Sequence, residues 1–426
     1  MINIEKIIPI GNDERVKDKA INENGDYILL DDGKKNWQGR KSYGVNFAKI
    51  FYEIGVDEVK EAEKAVDAEF INKDGKVYVD SPVAKKYFSK SGRMVDCSCS
   101  LDYKIDIEGK NNLSNVYLCR DRLCPICMWR LSRRLSWETH QIVDQYTADN
   151  PNMVPIMIGL TVQNPKMGEL SQMLDVLCHG KSAAWQLLQK WLSRRGIKDY
   201  IRTLEITFNC KSFTWHPHLH VLAFVPKEYF SKENKNYISH ALLCEEWKRV
   251  CKLDYTPIVD IRRVYDKNSP KERIDINSDS KAVDLDLAGA IMETAKYCVK
   301  PLNLFSNYSD DGTEKNNIGE MDLKKIIREL AESLAGRRLR ALGGQLKVIA
   351  KKLKLNDDED KKDLLHNDES STTEAVYKEI YEYVFSDKEY YLTSREIVEH
   401  NQKPVDKSEN RYQVYKSDGD GYKDTG

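Results

Sequence analysis

Three of the eight histidines of this chain alternate within one short segment, residues 215–220 (WHPHLH). An apolar run, residues 221–225 (VLAFV), follows directly and is typical of a buried strand. Successive side chains of a strand point to opposite faces, so the three imidazoles share one face. Neutral imidazole is the commonest metal ligand. We therefore expect His218 and His220 to bind one divalent ion, with His216 as a further candidate ligand. A histidine-rich edge strand that binds nothing is the alternative.

A carboxylate on the preceding strand can complete this ligand set. Residues 200–208 and 216–225 are separated by a short polar segment and predict an antiparallel hairpin. Glu205 is a charged residue within the first of these apolar strands, and the hairpin can place it across from His218 or His220. Two imidazoles and a carboxylate leave positions open for substrate oxygens on Mg²⁺ or Mn²⁺. The alternative is that Glu205 faces solvent, because the strand register is not yet fixed.

Residues 293–300 (ETAKYCVK) contain a second group of reactive side chains. On a helix, Glu293 and Tyr297 share one face with two lysines, which are Lys296 and Lys300. A phenol with a pKa of about 10 is a weak nucleophile unless a cation or a base assists it. The lysines and a nearby metal would lower that pKa, and Glu293 can accept a proton from water. Taken alone, this pattern is more often a solvated helix face.

Five of the ten cysteines cluster in the first third of the chain. Two residues separate Cys124 from Cys127, which is the spacing of a zinc knuckle, and two further thiolates complete tetrahedral coordination. We expect Cys97 and Cys119 to supply them, with Cys99 as an alternative to Cys97 because both would share a strand face. A redox pair is the other interpretation. A structural Zn²⁺ here would fold a small subdomain and fix the helix that follows.

The net charge of −1 does not indicate nucleic-acid binding, but the charges are unevenly distributed. Basic residues concentrate in residues 119–134 and 324–354, whereas residues 357–360 are all acidic. Local basic patches matter for phosphate binding more than the total charge does. Solvated helix faces are the alternative. The candidate DNA contacts are Arg120, Arg122, Arg130, Arg133, Arg134, Arg337 and Arg338.

The length of 426 residues suggests two or three domains, and 32% charged with 41% apolar residues is typical of a globular chain. No run of about eighteen apolar residues predicts a membrane span, and the N-terminus lacks a signal-peptide pattern. We therefore expect a cytoplasmic protein without membrane contact. In that compartment, cysteines are more often thiols or metal ligands than disulfides.

Between residues 152 and 300 the hydrophobic patterns predict alternating strands and helices. Strands are predicted at 155–162, 200–208, 216–225 and 257–264, and helices at 170–191, 238–250 and 285–299. This order favours an α+β domain with helices packed on an antiparallel sheet. Outside it, helices are predicted at 43–54, 58–68, 128–146 and, as one amphipathic helix, 375–392. The polar residues 266–281 predict a surface insertion.

Together these motifs resemble the rolling-circle replication initiators of small bacterial plasmids, within the HUH endonuclease superfamily. The resemblance covers roughly residues 37–353, and its motifs are residues 119–130, 160–164, 204–209, 215–221, 293–300 and 336–344. It implies an antiparallel-sheet HUH endonuclease core with flanking helices and a small zinc-binding subdomain. The expected regions are an N-terminal helical region (1–90), a zinc-binding subdomain with a basic helix (91–150), the nuclease domain (151–305), a basic helical region (306–355) and an acidic tail (356–426).

The resemblance also implies an activity, which is specific binding at a double-strand origin and nicking of one strand. Tyr297 is then the nucleophile that forms a 5′-phosphotyrosine bond and frees a 3′-hydroxyl primer. His218 and His220 are the metal-binding pair, and Glu293 activates the water that ends a replication round. The implied partners are origin DNA, single-stranded DNA, a host helicase and a DNA polymerase, and a dimer is a possible assembly.

Two other functions stay open at this point. A transposase or conjugative relaxase of the same superfamily would share the histidine strand, although relaxases usually carry a longer histidine triad and an added helicase or primase portion. A zinc-dependent DNA-binding regulator without catalysis would explain the cysteines and the basic patches. It would leave the histidine strand and Tyr297 unexplained.

Overall fold

The computed structural model describes residues 35–65, 81–107, 109–179, 182–231, 233–264, 286–295, 319–355, 364 and 375–398 of the chain. Three candidate catalytic residues lie outside these ranges, namely Lys296, Tyr297 and Lys300, and so does the predicted insertion 266–281. Among the described helices, none has the length and apolarity needed to cross a bilayer.

The described strands form two antiparallel sheets. In chain order they are β1 (Ser100–Asp106), β2 (Asn111–Val116), β3 (Met153–Thr161), β4 (Tyr200–Asn209), β5 (Thr214–Pro226), β6 (Val259–Arg263), β7 (Arg340–Gly343), β8 (Ala375–Val384) and β9 (Glu389–Ile397). One sheet has the order β2-β1-β8-β9 and the other β6-β3-β5-β4-β7. Neighbouring strands are antiparallel throughout. The predicted α+β class with antiparallel sheets is therefore confirmed.

Nine α-helices of the described residues flank these sheets. In chain order they are α1 (Lys35–Ala65), α2 (Pro82–Asp96), α3 (Pro125–Asp149), α4 (Leu170–Cys178), α5 (Ala184–Arg194), α6 (His240–Cys251), α7 (Leu287–Ala295), α8 (Glu320–Leu334) and α9 (Gly344–Lys352). The predicted helices 43–54 and 58–68 fall in one helix, α1, as far as Ala65, and residues 66–68 lie outside the described residues. The predicted helix 170–191 is wrong as a single element, because the backbone is extended at His179 and α4 ends before it.

The five-stranded sheet is buried on both faces, which explains why its central strands read as apolar runs. Strand β5 lies between β3 and β4. One face packs against α4, α5 and α6 in an apolar cluster that includes Leu174, Leu188 and Trp247. The other face packs against α3, α7 and α9 in a second cluster that includes Tyr146 and Ile291. This second face also carries the histidines of β5.

The predicted amphipathic helix 375–392 is wrong, because these residues form β8 and the start of β9. Tyr381 and Tyr383 are buried and alternate with less buried neighbours, which is the period of a strand. Aromatic residues also favour strands over helices. Strand β8 pairs with β1, with Leu101 opposite Tyr381. The expected acidic tail 356–426 thus contributes two strands to the sheet of the cysteine-rich region.

Two glycines fix the join between β7 and α9. A Cβ atom on Gly343 would overlap the ring of Tyr200 on the neighbouring strand. Gly344 has a φ of +57°, which favours glycine, and a Cβ atom there would overlap Asp199. The Asp199 carboxylate accepts a hydrogen bond from the Gln345 amide at 2.7 Å and so caps α9. The glycine pair of the motif 336–344 therefore allows β7 to join the sheet edge.

Candidate metal centres

Glu205, His218 and His220 meet on one face of the β4–β5 hairpin. Glu205 lies directly opposite His218 in the strand register. Its Oε2 atom lies 3.1 Å from Nε2 of His218 and 3.1 Å from Nε2 of His220. One ligand atom from each residue lies within 4.8 Å of the others, which is a spacing that one metal ion can bridge. The alternative of a solvent-facing Glu205 is wrong, because this residue is only 3% exposed.

The neighbouring strand leaves space beside these ligands. Strand β3 presents Gly159 opposite His220 and Thr161 opposite His218. Glycine has no side chain, so no β3 side chain fills the position opposite His220. The two histidine side chains are 15% and 16% exposed, whereas the Glu205 side chain is 4% exposed. The group is therefore anchored in the sheet by its carboxylate and open on its imidazole side.

Helix α7 brings a second carboxylate to the same place. Glu293 Oε1 lies 3.5 Å from Nε2 of His220. Two side-chain hydroxyls hold the end of this helix: Thr203 on β4 donates to the carbonyl of Thr294 at 2.6 Å. Ser132 on α3 donates to the carbonyl of Ala295 at 2.7 Å. The last turn of α7 is thus fixed to both the sheet and α3.

The third histidine lies beside this group and not within it. His216 Nδ1 is 2.8 Å from Oδ1 of Asn164, and its ring centroid is 4.9 Å from that of His218. Burial, and after it the neighbouring His218, lowers the pKa of the His216 imidazole. The candidate ligand His216 is therefore engaged by Asn164, a residue that sequence reasoning did not assign to the site.

Four cysteines form the second possible metal centre. Cys97, Cys119, Cys124 and Cys127 are all buried and converge on one point. The Sγ atom of Cys127 lies 3.6 Å from those of Cys97 and Cys119, and Cys124 Sγ lies 3.6 Å from Cys97 Sγ. A Zn–S bond of about 2.3 Å gives a tetrahedron with edges of about 3.8 Å. The four thiols therefore have the spacing of a structural zinc site.

Local structure explains how these cysteines converge. Cys97 ends α2, and Cys124 and Cys127 lie at the start of α3, where Pro125 occupies the first turn. The backbone amides of Cys119 and Arg120 donate to the sulfurs of Cys97 and Cys127. Such N–H donors are the outer contacts that hold metal-binding thiolates in place.

A buried lysine lies next to the four thiols and separates them from the fifth cysteine. Lys41 is 1% exposed and donates to the carbonyls of Val95 and Cys97 and to the sulfur of Cys99. Cys99 also donates to the Val95 carbonyl at 3.1 Å, and it lies outside the group of four. Burial opposes ionisation of Cys97, but hydrogen bonds from the other three thiols and the Lys41 charge hold its pKa well below the usual value. The structure thus groups Cys97, and not Cys99, with the other three.

Among the seven candidate DNA-binding arginines, Arg122, Arg130, Arg134 and Arg337 make hydrogen bonds or ion pairs inside the protein. Arg122 donates to the carbonyls of Leu334 and Arg337. Arg130 is 8% exposed and donates to the carbonyl of Leu364 at 2.8 Å. These two residues therefore join parts of the fold.

The remaining arginines differ in exposure. Arg134 donates to Glu138 at 2.9 Å, and Arg337 forms an ion pair with Asp175 at 2.8 Å. Arg120, Arg133 and Arg338 are exposed. The exposed arginines are placed where a polyanion can reach them.

Sequence reasoning missed several residues that surround the site. Asn164 lies in the quoted motif 160–164, but its amide has no distinctive spacing. Ser132 and Thr203 are small polar residues within a helix and a strand, and Lys41 is one of many lysines. No pattern in a single sequence separates these residues from ordinary surface positions.

Comparison with known proteins gives a consistent family. Residues 110–391 match the family of replication proteins. A protein rep of Streptococcus pneumoniae serotype 2 (strain D39 / NCTC 7466) is 30% identical over 338 residues, which cover 78% of this chain and 86% of that protein. A protein rep of Bacillus amyloliquefaciens is 33% identical over 346 residues, covering 78% of this chain and 88% of its own length. No solved structure matches the chain.

The matched region includes three of the four grouped cysteines, the β4–β5 hairpin and the segment 293–300. The family expected from the motifs is therefore confirmed, and the chain belongs to the replication protein family of plasmid replication initiators.

Proposed function

We propose that the chain initiates rolling-circle replication as a site-specific DNA endonuclease and strand transferase of the HUH type. The observation that carries the proposal is the approach of Glu293 on α7 to the group formed by Glu205, His218 and His220. A metal-binding face opposite a helix that leads to a tyrosine is an arrangement suited to phosphodiester chemistry. The family membership supports the role in replication.

The donor set fits a divalent metal with open coordination positions. Glu205 supplies a carboxylate oxygen, and His218 and His220 supply ring nitrogens, which is a mixed set suited to Mn²⁺ and acceptable to Mg²⁺. When bound, such an ion polarises phosphoryl oxygens and offsets negative charge in the transition state. Because Glu205 is buried and its Oε2 atom contacts Nε2 of both imidazoles, it fixes the orientation of both rings.

Tyr297 is the proposed nucleophile. It follows Ala295, the last residue of α7, by two positions, and two residues span at most about 7 Å. In the nicking step, the phenolic oxygen of Tyr297 bonds to phosphorus, the bond from phosphorus to the 3′ oxygen breaks, and that oxygen takes up a proton. The products are a 5′-phosphotyrosine and a 3′-hydroxyl. Lys296 and Lys300 are proposed to favour the phenolate form by their charge.

Glu293 is proposed to act in the closing step. After the first cleavage Tyr297 is occupied, so a second cleavage needs another nucleophile. The Glu293 side chain is 25% exposed, so water can reach it beside His220. A carboxylate in this position can take a proton from a water molecule that attacks phosphorus. This division leaves nicking to Tyr297 and termination to Glu293.

The four-cysteine group is proposed to hold a structural Zn²⁺. All four ligands are buried, which is typical of closed structural sites. The group joins the end of α2 to the start of α3. Because Ser132 of α3 holds the end of α7, the zinc site would support the catalytic helix through α3.

A surface of arginines and tryptophans on α3 is proposed to bind single-stranded DNA. Trp129, Arg133 and Trp137 are four residues apart and so follow one stripe of the helix. The guanidinium groups of Arg40 and Arg133 lie 4.7 and 6.0 Å from the Trp129 ring centroid, and that of Arg134 lies 4.6 Å from Trp137. Guanidinium groups contact backbone phosphates and indole rings stack on unpaired bases.

Incubation of the protein with supercoiled plasmid that carries a candidate origin tests the proposal. With Mn²⁺ or Mg²⁺ we expect nicked circles that carry protein on the 5′ end. Tyr297→Phe is expected to give no covalent product, whereas Tyr117→Phe, which alters an exposed tyrosine near the cysteines, should nick normally. Supercoils that bind the wild-type protein and stay intact would favour the regulator without catalysis.

A further inference from the structure

A buried arginine lies on the sheet face opposite the proposed metal site. Arg202 is on β4, three positions before Glu205, so its side chain points to the other face. It is 3% exposed. Within the described residues its guanidinium donates one hydrogen bond, from Nη1 to the carbonyl of Leu339 at 3.1 Å, and its Nε atom is buried without a partner. A guanidinium has five N–H donors, so within the described residues most of them have no acceptor, although the group lies 5.8 Å from the ring centroid of Trp185.

A second guanidinium and an imidazole lie beside it, at the end of α4. Arg337, two residues before Leu339, donates to Ser171 Oγ at 2.8 Å and lies 2.8 Å from Oδ1 of Asp175. One helical turn after Asp175, His179 has a buried Nδ1 atom that no described residue contacts. Within the described residues, three buried nitrogens of these side chains have no hydrogen-bond acceptor, namely Arg202 Nε, His179 Nδ1 and Arg337 Nη1, although Arg337 Nη1 is within ion-pair distance of Asp175.

The charges at this place do not balance. Asp175 is 58% exposed and pairs with Arg337, which leaves Arg202 without an acidic contact among the described residues. Burial lowers the pKa of His179, and the charges of Arg337 and Arg202 lower it further. Burial raises the pKa of the Cys178 thiol against the same two charges. The group therefore contains two cations, an imidazole and a thiol whose neutral forms are favoured by burial, and one partly solvated counter-ion.

We propose that Arg202, Arg337 and His179 bind a phosphoryl oxyanion. A buried, uncompensated charge is strongly destabilising, and an anion that accepts several hydrogen bonds removes this cost. Guanidinium groups match the geometry of a tetrahedral oxyanion, and a neutral imidazole can donate through Nδ1–H. Inorganic phosphate and a backbone phosphate of DNA share this chemistry. Arg337, whose side chain is 11% exposed, marks the side from which the anion enters.

Isothermal titration of the zinc-loaded full chain with inorganic phosphate tests the site, with sodium chloride of equal ionic strength as the blank. We expect saturable binding with about one anion per chain. Loss of a charged hydrogen-bonding group should weaken phosphate binding about tenfold or more in Arg202→Met. Arg194→Met removes an exposed arginine of α5 that is not among the candidate DNA contacts, and it should leave the affinity unchanged. If Arg202→Met does not fold, Arg337→Met serves for the same comparison.

Melting temperatures separate specific binding from the general stabilisation that phosphate gives to all proteins. Saturating phosphate should raise the melting temperature of the wild type by about 3 °C more than that of Arg202→Met. A short single-stranded oligonucleotide forms the second arm. If the oligonucleotide binds only when Arg202 is present, and free phosphate does not bind, the anion is a phosphate of the DNA backbone. If neither ligand binds in an Arg202-dependent way, the proposal is overturned.

Discussion

The two possible metal centres among the described residues differ in how far their ligands are enclosed by protein. The four cysteines are all buried, and their four sulfurs are enough to complete a tetrahedral zinc site. The group of Glu205, His218 and His220 buries its carboxylate but leaves both imidazoles partly exposed beside Gly159. Closed sites of thiolates hold structure, whereas open sites with few protein ligands leave room for a substrate. On the proposed function, we therefore expect the cysteine centre to support stability and the Glu205–His218–His220 centre to support the chemistry.

Breaking the closed centre is expected to have the largest effect. Cys127→Ser removes one of four ligands, and structural zinc sites contribute about 10 kcal/mol or more to folding. We expect loss of about one equivalent of zinc by metal analysis and a large fall in melting temperature. Cys99→Ser is the matched control, because Cys99 lies outside the group and should retain the zinc. A Cys127→Ser protein with full zinc content and unchanged melting would contradict the assignment.

Breaking the open centre should instead abolish activity and spare the fold. His218→Ala removes a metal ligand, and a loss of about 4 kcal/mol of transition-state stabilisation lowers the nicking rate about a thousandfold. The melting temperature should change by only a few degrees, because few hydrogen bonds are lost. His140→Ala on α3 is the control and should nick at the wild-type rate. Equal losses of nicking in both variants would argue against the metal site.

Replacing Glu293 tests whether nicking and termination depend on different residues at the open centre. In Glu293→Ala we expect nicking to persist, because Tyr297 is unchanged, while release of the finished circle fails for lack of an activated water. Gel analysis of covalent protein–DNA product over one replication round measures both steps. An equal loss of nicking and termination would show that Glu293 does not have a separate role.

The smallest expected effect concerns the hydroxyls that hold the end of α7. Ser132→Ala and Thr203→Val each remove a hydrogen bond of about 1 kcal/mol to the carbonyls of Ala295 and Thr294. We expect the single-turnover nicking rate to fall about tenfold with DNA affinity unchanged, and Ser132→Thr to restore it.

Thr147→Val provides the control for these positioning variants. It removes a similar hydrogen bond on α3, from Thr147 to the carbonyl of Val143. If it slows nicking as much as Ser132→Ala does, the effect comes from general stability and not from positioning.

The sequence predicted what depends on local spacing. The spacing of Cys124 and Cys127 and the alternation of the histidines predict neighbouring ligands whatever the rest of the fold is. Residues two positions apart along a strand share a face. The sequence could suggest Glu205 as a third metal ligand. Only the strand register, which pairs Glu205 with His218, brings its carboxylate to the imidazoles. The membership of β8 in the sheet of β1 depends on contacts between residues about 280 positions apart along the chain, which no local pattern encodes.

Other parts of the site depend on packing between distant elements. Helix α3 and strand β4 bring Ser132 and Thr203 to the end of α7. Helix α1 brings Lys41 to the cysteines. The apolar pattern at residues 375–392 fits a helix as well as a strand, and the pairing with β1 selects the strand. Short-range chemistry was therefore predictable, and the supporting contacts were not.

The most direct test of the central claim is to locate the covalent bond. A single-stranded oligonucleotide that contains the origin nick site is incubated with the protein and Mn²⁺, and the denatured product is digested with trypsin and analysed by mass spectrometry. The account predicts a nucleotide attached through its 5′ phosphate to Tyr297, with no adduct when His218 is replaced by alanine. Nicked DNA with an adduct on a different residue, or with no protein adduct at all, would contradict the account.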